Sequence, residues 1–254
     1  MSTWARRRKT VYLGGLIVCV AVFIGIPLFT TFYVAPTCFD GKLNQREYGI
    51  DCGGPCVKLC SSQFLNPIVV WARAIPVTKG VYNLLAYVQN PNLSGEVKHA
   101  YYTFKLFDRA GIVIDERKGN TFILPHSNSP VFEGGIVSGE RIPALVTFEF
   151  VEPLAWEKID YIDPAIVVTS KTLSFAIEDG SPRIDATIQN RSTATLGVIE
   201  VTAIVYDTSD NAMAFSKTLI DGLGDNQSQG VTFTWPKTFP KKSSRIEIIP
   251  LVRP

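Results

Sequence analysis

The sequence predicts an all-β body of two tandem β-sandwiches, carried behind a single N-terminal transmembrane helix and a small cysteine-rich neck. Three observations carry this reading. From Asn66 onward apolar and polar residues alternate at period two, with turn signals between the runs. Residues 11–34 carry no charge and directly follow a basic cluster. Four of the five cysteines fall within residues 38–60. The expected organisation is a cytoplasmic basic tail over 1–10, a membrane span over 11–34, a disulfide module over 35–61, and sandwiches over 62–160 and 161–254.

The composition agrees. Of 254 residues, 46% are hydrophobic, 19% charged and 11% aromatic, with 19 Gly and 16 Pro. That is too apolar for a disordered chain and rich in turn and strand formers. Net charge is +2, yet Arg6, Arg7, Arg8 and Lys9 are the only charges before Asp40. Without those four, 21 basic residues face 23 acidic ones. A nearly neutral body excludes strong electrostatic binding of nucleic acid.

An apolar run over 11–34 exceeds the roughly 30 Å hydrocarbon core at about 1.5 Å per residue. Basic residues on its N-terminal side place the tail in the cytoplasm and the rest of the chain outside. Trp4, Tyr12, Phe32 and Tyr33 sit where interfacial aromatics belong. The competing reading is a cleaved signal peptide, but the run is too long, and a cut after Ala35 would leave Pro36 at the new terminus. Pro27 is positioned to kink the last third of the helix.

The neck, residues 37–60, is too short to build a core of its own, so covalent bonds or a metal must hold it. In an oxidising compartment Cys38, Cys52, Cys56 and Cys60 read as two disulfides of undetermined pairing. The alternative is a four-cysteine zinc site. Asp40, Asn44, Glu47 and Asp51, spaced around Gly41 and Gly49, are candidate oxygen ligands for Ca²⁺. The competing reading makes them turn caps that bond their own backbone. No other cofactor is expected.

The neck resembles a short module of bacterial and eukaryotic surface proteins with the pattern C-x-D-G-x-x-N-x-x-E-x-G-x-D-C-G-G-x-C. Every fixed position is met, from Cys38, Asp40, Gly41 and Asn44 through Glu47, Gly49, Asp51 and Cys52 to Gly53, Gly54 and Cys56. The resemblance implies an extracellular setting and no activity.

In the body, Ile184, Ala186 and Ile188 point one way, and Arg183, Asp185, Thr187 and Gln189 the other. Val231, Phe233 and Trp235 alternate in the same manner. An internal repeat runs through it. Val88-Gln89-Asn90 recurs as Ile188-Gln189-Asn190, and Phe104 to Asp108 recurs as Ala203 to Asp207. A constant offset of about one domain length means tandem duplication. The boundary falls in the run EKIDYIDP, whose short linker makes the sandwiches abut as a stiff rod. Asp108 and Asp207 end strands at hairpins and should bond turn amides. Asn92, Asn190 and Asn226 begin N-x-S sequons.

Around Phe104-Lys105-Leu106-Phe107-Asp108 and Tyr206-Asp207 the body resembles the FxLYD-type, Ig-like β-sandwich domains of microbial extracytoplasmic proteins. Phe107 replaces the Tyr of the first copy and Ala203 the Phe of the second. The resemblance implies a tethered or secreted binding or structural module without catalysis.

No catalytic set emerges. His99 and His126 are the only histidines, and no nucleophile motif or phosphate loop accompanies them. The expected function is a single-pass extracytoplasmic protein, structural or protein-binding, at the cell envelope. Its expected partners are the lipid bilayer and a surface protein, with the oligomeric state open. The alternative is an accessory subunit of an envelope enzyme, transport or secretion complex that binds Ca or Zn through the neck.

Overall fold

A computed structural model describes residues 3–33, 35–151, 153–160 and 166–254. Val34, which ends the expected span, and most of the expected 160–164 boundary lie outside the described residues. The chain divides into two compact units, Met1–Cys56 and Val57–Pro254.

In the first unit, helix α1 (Thr3–Val20) runs through a π-helical turn (Ala21–Gly25) into α2 (Ile26–Phe32). The turn has a local cause. Pro27 has no N–H to offer and its ring crowds the preceding turn, so the ladder re-registers just before it. Thr30 and Thr31 hydroxyls then donate to the Pro27 carbonyl, at 3.0 and 2.7 Å. Within Arg6–Phe32 the most apolar 18-residue window has a mean hydropathy of 2.5, and none of it is buried. The helix is long and apolar enough to cross a membrane.

Among the described residues, the regular elements of the second unit are all β-strands. Its first half comprises β1 (Ile68–Thr78), β2 (Val81–Gln89), β3 (Gly95–Phe107), β4 (Val113–Ile123), β5 (Asn128–Val137), β6 (Leu145–Phe150) and the short β7 (Glu157–Lys158). Antiparallel sheet β1-β2-β5 faces sheet β4-β3-β6, while β7 pairs with the start of β3. Leu84, Val88, Phe104, Leu106 and Val131 fill the space between them. The second half comprises β8 (Ile166–Phe175), β9 (Pro182–Asn190), β10 (Ile199–Asp207), β11 (Ala212–Ile220), β12 (Ser228–Thr234) and β13 (Ser243–Val252). Here β8-β9-β12 faces β11-β10-β13 around Ile184, Ile188, Val201, Val205 and Phe233. The two strand orders correspond one for one, as duplication requires.

The hairpins after β3 and β10 close alike. Asp108 accepts from the Ala110 and Ile112 amides, and Asp207 from those of Ser209 and Asn211, each at 2.9 Å. Asn90 and Asn190 are also equivalent. Each is buried, and each amide group donates to carbonyls of neighbouring loops. Asn190 is 0% exposed, so its sequon is closed to glycosylation in the folded protein.

The sandwiches meet through broad sheet faces. Trp71, Leu85 and Phe132 on β1-β2-β5 pack against Ile204, Phe215 and Ile249 on β11-β10-β13. The central two sheets are therefore covered on both sides, giving four layers. Strand β10 is buried at every position except the half-buried Glu200. That explains its near-continuous apolar run, since a strand covered on both faces loses alternation.

Pairing registers show how the copies diverged to allow this. The counterparts of Leu85 and Phe132, which pair across β2 and β5, are Asp185 and Thr232, which pair across β9 and β12. Trp71 and Tyr87 correspond to Ser170 and Thr187. In the other sheet, the pair Ile204 and Phe215 corresponds to Lys105 and Glu116. Positions that meet the neighbouring sandwich are apolar, and their free counterparts are polar. The free faces carry ion pairs: Lys105–Glu149 at 3.4 Å, Lys118–Glu116 at 3.1 Å and Arg183–Asp185 at 2.8 Å.

Two outcomes follow for urea unfolding. Phe215→Ala should cost about 3–5 kcal/mol as a core truncation. Glu116→Ala, at the equivalent position of the first copy, should stay within about 0.5 kcal/mol. Equal effects would contradict the assignment of faces. Asp207 tests the hairpin. The Lys241 ammonium at 2.6 Å and then the Asn211 amide hold its carboxyl down at about 2. A depressed carboxyl stabilises above its unfolded value near 3.9 and loses that contribution as pH falls towards 2. Asp207→Asn should therefore be less stable than wild type at pH 7, with the gap closing between about pH 4 and pH 2.

Candidate functional site

Three places hold the chemistry of this chain: the neck, the polar rim of the inter-sandwich contact, and a cleft beside that contact.

In the neck, Cys38 and Cys56 are joined, with Cα atoms 5.7 Å apart. Cys52 and Cys60 are also in disulfide linkage, and Cys19 is a free, exposed thiol. Zinc requires thiolate ligands, and sulfurs held in disulfides offer none, so the four-cysteine zinc alternative does not fit this structure. The chain turns tightly. Gln45, Arg46 and Asp51 take positive φ of 50°, 67° and 54°. Gly54 is required by space as well as by its φ of +59°, because an added Cβ would strike the Arg46 carbonyl.

The four candidate oxygen ligands are spread over these turns. Asp40 accepts from the Lys42 amide at 2.9 Å and from the Asn44 side-chain amide at 2.8 Å. The Asn44 contact is the main reason its carboxyl lies below the ordinary value. Asp51 accepts from the Gly41 amide at 3.0 Å, and Glu47 from that of Asn44 at 3.3 Å. The structure thus brings Asp40 and Asn44 together, while every one of the three acids caps a backbone amide. Glu47 is buried, with Oε1 3.1 Å from Cys56 Sγ. Since that sulfur carries no proton, the approach is a close contact rather than a hydrogen bond. Asn44 Oδ1 is buried without a donor.

The rim of the inter-sandwich contact centres on Glu247. It accepts from the hydroxyls of Tyr87 and Tyr206, one on each sandwich, at 2.9 and 2.8 Å. Burial first, and Glu247 next, push both phenols above their ordinary value. Arg245 lies over the Tyr206 ring at 3.6 Å and pairs with Glu247 and Asp210 at 3.1 and 2.8 Å. Arg73 reaches across to Asn211 at 3.1 Å. Paired in this way, the charges tie the two sheets together in one orientation.

The cleft has a volume of about 610 Å³. Its walls are the β1–β2 hairpin, the loop at 139–142, the start of β11 and the loop at 235–240. The hairpin and the first loop are stitched together. Ser138 donates its amide to the Gly80 carbonyl at 2.8 Å, and a Cβ on Gly80 would lie 2.8 Å from the Gly139 oxygen. At φ +73°, Gly80 is the residue this close approach requires. In the sequence Trp235 stands out only by its alternation with Val231 and Phe233, and the rest of the cleft carries no motif.

No protein-family model matches the chain, and no curated protein matches it. Among solved structures, red sea bream transglutaminase is similar at a TM-score of 0.25 and 11% identity, over 72% of this chain and 31% of that one. Calcium-binding domain CBD12 of CALX1.1 is similar at a TM-score of 0.21 and 12% identity, over 72% of this chain and 81% of that one. Likeness this distant transfers no site.

Of the two histidines, His99 approaches Asn120 at 3.4 Å, and His126 sits in a left-handed turn at φ 44°. Most of the basic residues near the C-terminus are spent on acids: Lys241 on Asp207, Arg245 on Asp210 and Glu247, and Arg253 on Glu200.

Thiol labelling checks the neck. Denatured, unreduced protein should show one reactive thiol, Cys19, and four more after reduction. Gly80→Ala should destabilise the body by about 1–3 kcal/mol through forced positive φ and contact with Gly139.

Proposed function

We propose that the chain is a single-pass membrane protein. Its N-terminus lies in the cytoplasm, and its neck and body lie outside, acting as a structural or protein-interaction module at the cell envelope without catalysis. The observation that carries this reading is the Arg6–Phe32 helix, apolar, unburied and begun by the Arg6–Lys9 cluster. The oxidised neck supports it, because disulfides persist outside the reducing cytosol. A body that carries ion pairs along and between its strands suits a module that holds shape and offers surface. The resemblance of the neck and strands to extracytoplasmic modules points the same way. A second reading, an ion-binding neck serving a larger envelope complex, is favoured by the buried, donorless Oδ1 of Asn44, whose Nδ2 bonds the Asp40 carboxylate.

Protease added to intact spheroplasts tests the first reading. It should remove the body and leave a short anchored fragment. A body protected until the membrane is lysed would reverse the orientation, and one released without its helix would replace the anchor by a signal peptide. Calcium titration of the intact chain tests the second, with the amide resonances of residues 40–51 expected to move at millimolar ion.

A further inference from the structure

The cleft beside the inter-sandwich contact belongs to the body alone and is independent of where the chain resides. Its volume of about 610 Å³ lies within the roughly 300–1,000 Å³ that encloses a small organic ligand. Ile75, Tyr82, Met213, Phe215 and Phe239 make its lining mainly apolar. Three cations, Lys79, Arg141 and Lys237, and one acid, Glu140, complete it, all four exposed. Among the described residues no carboxylate pairs with any of the three cations, in contrast to the ion-paired Lys241, Arg245 and Arg253. Trp235, also in the lining, is only 8% exposed, and its Nε1–H is buried with no acceptor.

We propose that this cleft binds a small amphiphilic carboxylate. Its apolar part lies among Ile75, Tyr82, Met213 and Phe215, and its acid group among Lys79, Arg141 and Lys237. Charge decides the class: the excess of cations at an apolar cleft favours an anion over a neutral or cationic amphiphile of the same shape. Shape supports it, because walls drawn from both sandwiches are held in place by the Gly80–Ser138 stitch and by the shared core, so little ordering opposes binding.

The test uses the full chain in phosphatidylcholine nanodiscs, with empty discs as the reference for partitioning. Calorimetric titration with octanoate, 3-phenylpropionate, octanol and octylammonium should show saturable binding of an acid. Octanol should bind at least about tenfold more weakly and octylammonium not at all. The stronger of the two acids identifies the ligand as aliphatic or aromatic. The double variant Lys79→Gln/Lys237→Gln, altered only at exposed side chains, should lose at least about tenfold in acid affinity while retaining its thermal unfolding. The Trp235 indole proton resonance, assigned by its loss in Trp235→Phe, should shift in step with saturation. Absence of saturable acid binding, equal affinity for octanoate and octanol, an unaffected double variant, or a stationary Trp235 resonance would each overturn the proposal.

Discussion

The contact between sheet β1-β2-β5 and sheet β11-β10-β13 is the constraint on which the body depends. Each sandwich is a small six-stranded unit, or six strands and a short seventh, with one narrow core. Units of that size bury a limited fraction of their surface. Joining them adds a third apolar layer, in which Leu85 and Ile204 are 0% exposed and Phe215 1%. Separated, the same sheets would present Trp71, Phe132 and Phe215 to water. The Glu247 cluster and Arg73 surround this layer with directional bonds, so the apolar contact supplies free energy and the polar rim supplies register.

Duplication alone would not give this arrangement. The contact is heterologous: the first copy uses one of its two sheets and the second copy uses the other. Such contacts can propagate when both partners keep both faces sticky. Here the unused faces carry Lys105, Glu116 and Glu149 on one side, and Arg183, Asp185 and Thr232 on the other. Ionic end faces stop the stack at two sandwiches, as polar caps do in repeat proteins. The same divergence that made one face apolar kept its counterpart charged.

Much of this was legible in the sequence where local chemistry decides. Ile184, Ala186 and Ile188 alternate with polar neighbours and line the second core. Asp108 and Asp207 cap their hairpins because a carboxylate two residues from a turn amide can hardly do otherwise. What the sequence could not show depends on tertiary assembly. The apolar face of Trp71, Leu85 and Phe132 looks like ordinary strand alternation until a second sandwich is placed on it. Asn90 and Asn190 read only as a repeated motif and, at Asn190, a sequon, yet they are buried ties between loops. The cleft gathers short stretches from four places in the chain, and Lys79 and Lys237 gain meaning only when those loops meet. In the neck, spacing left an ion-binding set and turn caps both open, and in the structure each of the three acids accepts from a backbone amide.

The most direct measurement is differential scanning calorimetry of the intact chain. If the shared layer makes the two sandwiches one cooperative body, a single β-sheet transition should appear, with its calorimetric enthalpy equal to its van't Hoff enthalpy. Two resolved transitions, or a van't Hoff enthalpy near half the calorimetric value, would show that the sandwiches unfold independently and would contradict the account.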